Sequence, residues 1–184
     1  MHRNFPNTHP RPDPMNVSIA PLSADDEAAF LQAVARSRAL HGDWVQPPRD
    51  HAGFQALLTK AQGERHVCYL ARTSEGELVG CINLNEIVRG VFLSTYLGYY
   101  AFAPLQGKGL MRAALAAAVE QAFGPLGLHR VEANVQPGNT RSIALLRSLG
   151  FRYEGTSPNY LHIAGAWREH ARYALTTEDD FAGA

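Results

Sequence analysis

Leu97-Gly98-Tyr99-Tyr100-Ala101-Phe102-Ala103-Pro104-Leu105-Gln106-Gly107-Lys108-Gly109-Leu110-Met111 is the stretch that decides the fold, and an alanine-rich run follows it to Phe123. It reads as a hydrophobic strand over 92–102, a glycine turn, and a helix over 108–123. Leu110, Leu115, Val119 and Phe123 recur in that helix at helical spacing. Gly107 and Gly109 let the backbone come close to a ligand where the helix begins. A helix start carries unpaired N–H groups and partial positive charge, so the turn is a ready anion site. It is not a P-loop, because no Gly-Lys-Ser/Thr follows a first glycine at the required distance. It is not Gly-x-Gly-x-x-Gly either, because position 112 is Arg.

Outward from this unit, residues 16–20 read as a short strand. Ser23 before Asp25, Asp26 and Glu27 reads as a capped, acid-rich helix start, with Phe30, Leu31, Val34 and Leu40 as its apolar stripe. The segment 41–48 breaks that helix, and Asp50 opens a second one with Phe54, Leu57 and Leu58 inward. Residues 65–72 and 78–84 read as strands around a turn at 74–77. Past the alanine-rich helix, Gly124-Pro125-Leu126-Gly127 is a stop. Residues 128–135 are the next strand, and Pro137-Gly138-Asn139 turns into the last helix. Residues 151–154 and 160–175 close the chain as an antiparallel hairpin. The order βααβββαβαββ implies an α/β fold, a mixed and mostly antiparallel sheet flanked by helices. The strands at 92–102 and 128–135, joined through a helix, are parallel neighbours. Residues 16–184 read as a single domain. Residues 1–15, with four prolines, read as a disordered or loosely docked arm.

At 184 residues, with seventeen basic and seventeen acidic side chains, nothing global points to nucleic acid or an anionic membrane. No apolar run approaches the ~20 residues that span a bilayer. The first residues lack the apolar core of a signal peptide, so a cytoplasmic location is expected. Cys68 and Cys81 sit in apolar strands and read as buried free thiols, a disulfide being the alternative. The eight histidines share no ligand spacing, and neither Cys-x-x-Cys nor His-Glu-x-x-His occurs, so no metal is expected. No serine lies in a Gly-x-Ser-x-Gly elbow.

The turn Gln106-Gly107-Lys108-Gly109-Leu110-Met111 resembles the coenzyme A pyrophosphate loop of the GNAT acetyltransferase superfamily, with Met111 standing where Gly or Ala is usual. A second block, Asn139-Thr140-Arg141-Ser142-Ile143-Ala144-Leu145-Leu146-Arg147-Ser148-Leu149-Gly150-Phe151, resembles the segment Asn-x-x-Ala/Ser-x-x-Leu-x-x-x-x-Gly-Phe of the same superfamily. A third, residues 159–170, resembles the final hairpin of its Rim-type branch, which acetylates the N-termini of ribosomal proteins. Val88-Arg89-Gly90 and the glycine turn look most like that branch's alanine-acetylating member. The resemblance covers residues 16–177. It implies a twisted sheet whose central parallel strands splay apart. It also implies acetyl-CoA as co-substrate. The pantetheine arm would pair with the first splayed strand near Tyr100 and Phe102, and the pyrophosphate would lie on Gln106, Gly107, Lys108, Gly109, Leu110 and Met111. Asn139 would meet the coenzyme near its thiol end; it also reads as an ordinary helix N-cap.

Direct transfer to an amine sets three requirements: a neutral amine, polarisation of the thioester carbonyl, and a proton donor for the departing thiolate. An α-amine with pKa ~7.7–8.0 needs little tuning, whereas a Lys amine near ~10.4 needs much more. The tyrosine that many members use as the acid is replaced by Leu146. The resemblance points to Ser142 for that role, and Tyr160 is the other candidate. Tyr96 stands where many relatives carry an acid that serves as base. Glu132 and Glu86 are candidate bases, and a water chain anchored by Asn134 is the alternative. Trp44 borders the acceptor cleft in this reading, or acts as a lid over the core; Tyr160 also borders the cleft. Trp167 reads as packing. The expected acceptor is a protein N-terminus beginning with Ala or Ser, or else a small amine such as an antibiotic, polyamine or amino acid. A non-catalytic acyl-CoA-binding module is the remaining alternative. No direct contact with nucleic acid or membrane is expected, and the chain is expected to be a monomer or a homodimer.

Overall fold

The computed structural model describes residues 17–181, so the arm expected over 1–15 lies outside the described residues. The chain runs β1 (Val17–Pro21), α1 (Glu27–Arg36), α2 (Arg38–His41), α3 (His51–Ala61), β2 (Val67–Thr73), β3 (Leu78–Val88), β4 (Ser94–Ala101), α4 (Leu110–Phe123), β5 (Arg130–Val135), α5 (Thr140–Ser148), β6 (Arg152–Ile163) and β7 (Ala166–Thr176). The order follows the sequence pattern; β2, β3 and β5 differ from their expected bounds by one to four residues, and four further differences have physical reasons.

The first expected helix is split at Ser37. This buried hydroxyl donates to the Ala33 carbonyl at 2.6 Å and accepts from the Ala103 N–H at 2.9 Å. Such back-bonding competes with the helical ladder and ties the helix pair to the end of β4. Helix α4 starts at Leu110 rather than 108, because Gly107 and Gly109 take φ values of 76° and 82°, outside the right-handed helix. Strand β4 starts at Ser94 rather than 92, because Leu93 adopts φ 39° and leaves Val91 and Phe92 exposed. Strand β6 is one element where two pieces were expected. Its register shifts between Ser157 and Leu161, with Asn159 at φ 48°, and this bulge hides the strand's alternation.

The seven strands form one open sheet in the order β1-β2-β3-β4-β5-β7-β6. Only β4 and β5 are parallel, and they pair over three positions alone: Ser94 with Arg130, Thr95 with Val131, Tyr96 with Glu132. Beyond Tyr96 the two strands part. On one face, α4 packs against Ile82, Leu84, Leu97, Val131 and Ala133. Ala114, Ala116, Ala118 and Ala122 are fully buried there and keep that helix close to the sheet. On the other face, Phe30, Phe54, Leu70, Cys81, Tyr100 and Phe102 join α1 and α3 to the sheet. Cys68 and Cys81 are free and buried in this second core, with their sulfurs 3.5 Å apart. Among the described residues no helix is long and apolar enough to cross a membrane.

Met111, the departure from the usual small residue, lies over Gly80 of β3. A Cβ at Gly80 would meet Met111 Sδ at 2.4 Å and the Tyr100 carbonyl oxygen at 2.7 Å. The sulfur can move, but the carbonyl belongs to the paired backbone of β4. Gly80→Ala is therefore expected to destabilise the protein by about 1–3 kcal/mol, the range for overpacking a core. A urea transition with an unchanged midpoint would show that the close approach is not required.

Candidate active site

The parting of β4 from β5 builds the site. The Phe102 N–H donates to the Val79 carbonyl at 2.8 Å. Direction alternates along a strand, so the backbone groups of Tyr100 and Phe102 face β3, and those of Leu97, Tyr99 and Ala101 face the gap. His41 reaches this edge. Its Nε2–H donates to the Ala101 carbonyl at 2.9 Å, and burial holds its pKa below the usual histidine value.

Two cavities meet at the gap. The larger, of about 820 Å³, runs past Tyr99, Tyr100 and Ala101, then Gln106, Gly107 and Gly109 of the turn, Met111 and the start of α5. The smaller, of about 160 Å³, is lined by Leu97, Gly98, Ala133, Asn134, Leu161 and His170, among others. Trp44, Val45, Tyr99, Asn139 and Ser142 line both. The Trp44 ring lies against Gly138, where an added Cβ would come within 3.1 Å of it, and so covers the turn from β5 into α5.

At the large end, the N–H groups of Gly107, Gly109, Leu110 and Met111 donate to no other described residue. They are the open start of a fourteen-residue helix, brought to the cleft where two left-handed glycines, Gly107 and Gly109, flank Lys108 and turn the chain into the helix. At the junction, Ser142 Oγ is 2.6 Å from Tyr99 Oη. Burial pushes the Tyr99 pKa up to about 12, against the Ser142 hydrogen bond that lowers it, so the phenol keeps its proton at neutral pH. Asn139 Oδ1 accepts from the Ser142 N–H at 3.2 Å and caps α5. A long cleft with anion donors at one end and a hydroxyl pair beside a split sheet is suited to a phosphorylated, extended acyl carrier.

Residues 16–152 match the acetyltransferase (GNAT) domain family. The chain belongs to the GNAT acetyltransferases. It is an N-acetyltransferase. It is 40% identical over 155 residues, 79% of each chain, to the ribosomal protein uS5 alanine N-acetyltransferase of Escherichia coli. Its structure resembles Mycobacterium smegmatis RimJ in complex with CoA-disulfide, at 29% identity and a TM-score of 0.79, covering 88% of this chain and 82% of that one. It also resembles the ribosomal-protein-S5-alanine acetyltransferase of Vibrio fischeri, at 26% identity and a TM-score of 0.77, covering 90% and 95%.

Several residues expected in the GNAT site stand elsewhere. Phe102 is fully buried in the second core and its N–H is committed to β3. Tyr100 is among the residues lining the cleft, but its backbone faces away from the gap and its ring packs against His41 and Phe102 in the second core. The free strand edge therefore belongs to Tyr99 and Ala101. Lys108 does not line the cleft, and the Leu110 side chain is in the core, leaving only its N–H at the turn. Glu132 lines neither cavity. It accepts from Arg130 Nε at 3.0 Å, and Arg130 also forks onto Glu154, which holds the Glu154 carboxyl below its usual pKa. Glu86 is paired with Arg65 at 2.5 Å. Tyr160 also lines neither cavity; its ring sits 6.2 Å from that of His170. Three residues that reach the site escaped the sequence reading: Tyr99, His41 and His170. The alternation of β4 puts Tyr99 and Tyr100 on opposite faces, which was a usable signal for the first of them.

Proposed function

We propose that this enzyme transfers the acetyl group of acetyl-CoA to the α-amine of a protein N-terminus that begins with alanine, as on ribosomal protein uS5. The 40% identity to the uS5 alanine acetyltransferase over four-fifths of both chains carries the reading. The pocket chemistry supports it. The diphosphate would lie on the N–H groups of Gly107–Met111, and the pantetheine along the free edge of Tyr99 and Ala101. The thioester would then sit beside Ser142, which delivers a proton to the departing sulfur while Tyr99 supports its oxygen. Asn139, whose Oδ1 is taken by the cap, lines both cavities beside Ser142. The acceptor enters through the small chamber on the far side of the gap, next to Trp44.

That chamber has no carboxylate in its lining. A polycation such as spermidine gains little there, whereas an N-terminus with a short first side chain fits its volume. The test compares peptides beginning with Ala, Ser, Met and Leu against spermidine, an aminoglycoside and a peptide whose sole amine is a lysine. The alanine peptide is expected to react fastest. Acetylation of any small amine ten times faster than the alanine peptide would overturn the acceptor, and would leave the coenzyme site standing.

A further inference from the structure

The small chamber must strip a proton from the incoming ammonium, and the carboxylates considered for that work lie outside it, tied to arginines. Its lining holds two ionisable side chains, Tyr99 and His170. Tyr99 is a held acid. His170 is 3% exposed, and its Nδ1 lies 3.0 Å from the Arg168 carbonyl oxygen. A carbonyl can only accept, so Nδ1 carries the hydrogen and Nε2 is left with the lone pair. Nε2 meets no partner among the described residues. A second group agrees with this polarity: Asn134 Oδ1, on the neighbouring strand β5 and in the same chamber, is buried without a hydrogen-bond partner. His170, Arg172 and Asn134 share one face of the sheet, because Asn134 pairs directly with Arg172. The chamber lining thus presents two hydrogen-bond acceptors, while Arg172 Nε, a buried donor without a hydrogen-bond partner, lies on Asn134's cross-strand neighbour outside that lining.

We propose that His170 is the general base for the acceptor amine, with Asn134 Oδ1 holding a second N–H of that amine beside it. The inference rests on reading the small chamber as the acceptor side. Nε2 takes one proton from the ammonium and passes it to solvent. The freed lone pair forms the C–N bond, and the C–S bond breaks. The second proton lost by nitrogen balances the one that Ser142 gives to sulfur. The other ionisable groups around His170 are Tyr160 from β6, Arg168 and Arg172 on its own strand, and Tyr99 across the chamber.

The experiment is the pH profile of kcat/KM for the parent and for His170→Gln, with the alanine peptide as acceptor and thiol release as readout. An α-amine of pKa ~7.7–8.0 is only about one-tenth neutral near pH 7 and is almost wholly neutral near pH 9. The variant is therefore expected to be slower by about tenfold or more at the lower pH, and within about twofold of the parent at the higher. A loss that stays constant with pH would mark a structural role and overturn the proposal, as would an unchanged rate. In the parent, nitrogen-15 NMR of the histidines reads the tautomer without any substitution. Hydrogen on Nδ1 at neutral pH is expected, and hydrogen on Nε2 would overturn the base. A parent that acetylates none of the peptides would overturn the acceptor reading and this inference together. A parent that acetylates them while the variant keeps its rate overturns this inference alone.

Discussion

Gly109→Glu is expected to weaken acetyl-CoA binding by more than about 100-fold without unfolding the protein. Gly109 sits at φ 82°, where a side chain costs roughly 1–2 kcal/mol of stability in the free and bound protein alike. A carboxylate there would also face the diphosphate. Two like charges 4 Å apart repel by about 4 kcal/mol near a protein surface. Because about 1.4 kcal/mol is tenfold in affinity, that repulsion alone corresponds to more than two decades. Gly109→Ala separates the contributions: it keeps the strain, drops the charge, and is expected to bind within about tenfold of the parent. Calorimetry on folded variants decides the matter. Undiminished affinity in Gly109→Glu would remove the diphosphate from this turn.

Ser142→Ala is expected to lower kcat by about 100-fold or more, the usual contribution of a positioned proton donor, with acetyl-CoA affinity little changed. Tyr99→Phe should lower kcat as well, because its hydroxyl lies 2.6 Å from Ser142 Oγ and can return the proton that the serine gives up. The double variant should be no slower than Ser142→Ala, as befits two groups acting as one device. Tyr160→Phe serves as the control, since Tyr160 lines neither cavity, and should run at the parent rate. A Ser142→Ala enzyme with parent kcat would mean that water protonates the sulfur.

The glycine turn and the strands beside it were legible in the sequence because their signals are local. Two glycines before an apolar period force a turn into a helix whatever surrounds them, and the short apolar runs of β2 and β3 are set off by the polar turn between them. The charge partners were not legible. Glu132 looked available on its strand, but Arg130 two residues back holds it, and Glu154, twenty-four residues beyond Arg130, joins the same guanidinium only once β5, β7 and β6 are aligned. The surroundings of Tyr160 were not legible for a related reason. The residue falls in the irregular stretch of β6 between Ser157 and Leu161, which no local pattern announces, and it lines neither cavity. His170 was one histidine among eight until the carbonyl of Arg168 fixed its tautomer.

The three-pair seam between β4 and β5 has a thermodynamic consequence. The sheet is effectively two sheets, β1–β4 and β5–β7, joined at one end and unlaced at the other. Whatever occupies the opening supplies hydrogen bonds that the polypeptide itself withholds, and so becomes a temporary part of the scaffold. A ligand held only by the folded chain at one hundred times its dissociation constant adds about 2.7 kcal/mol to stability, a sizeable share of what a domain possesses. With the carrier seated in that opening as proposed, saturating acetyl-CoA is expected to raise the unfolding midpoint, so that turnover and robustness are linked.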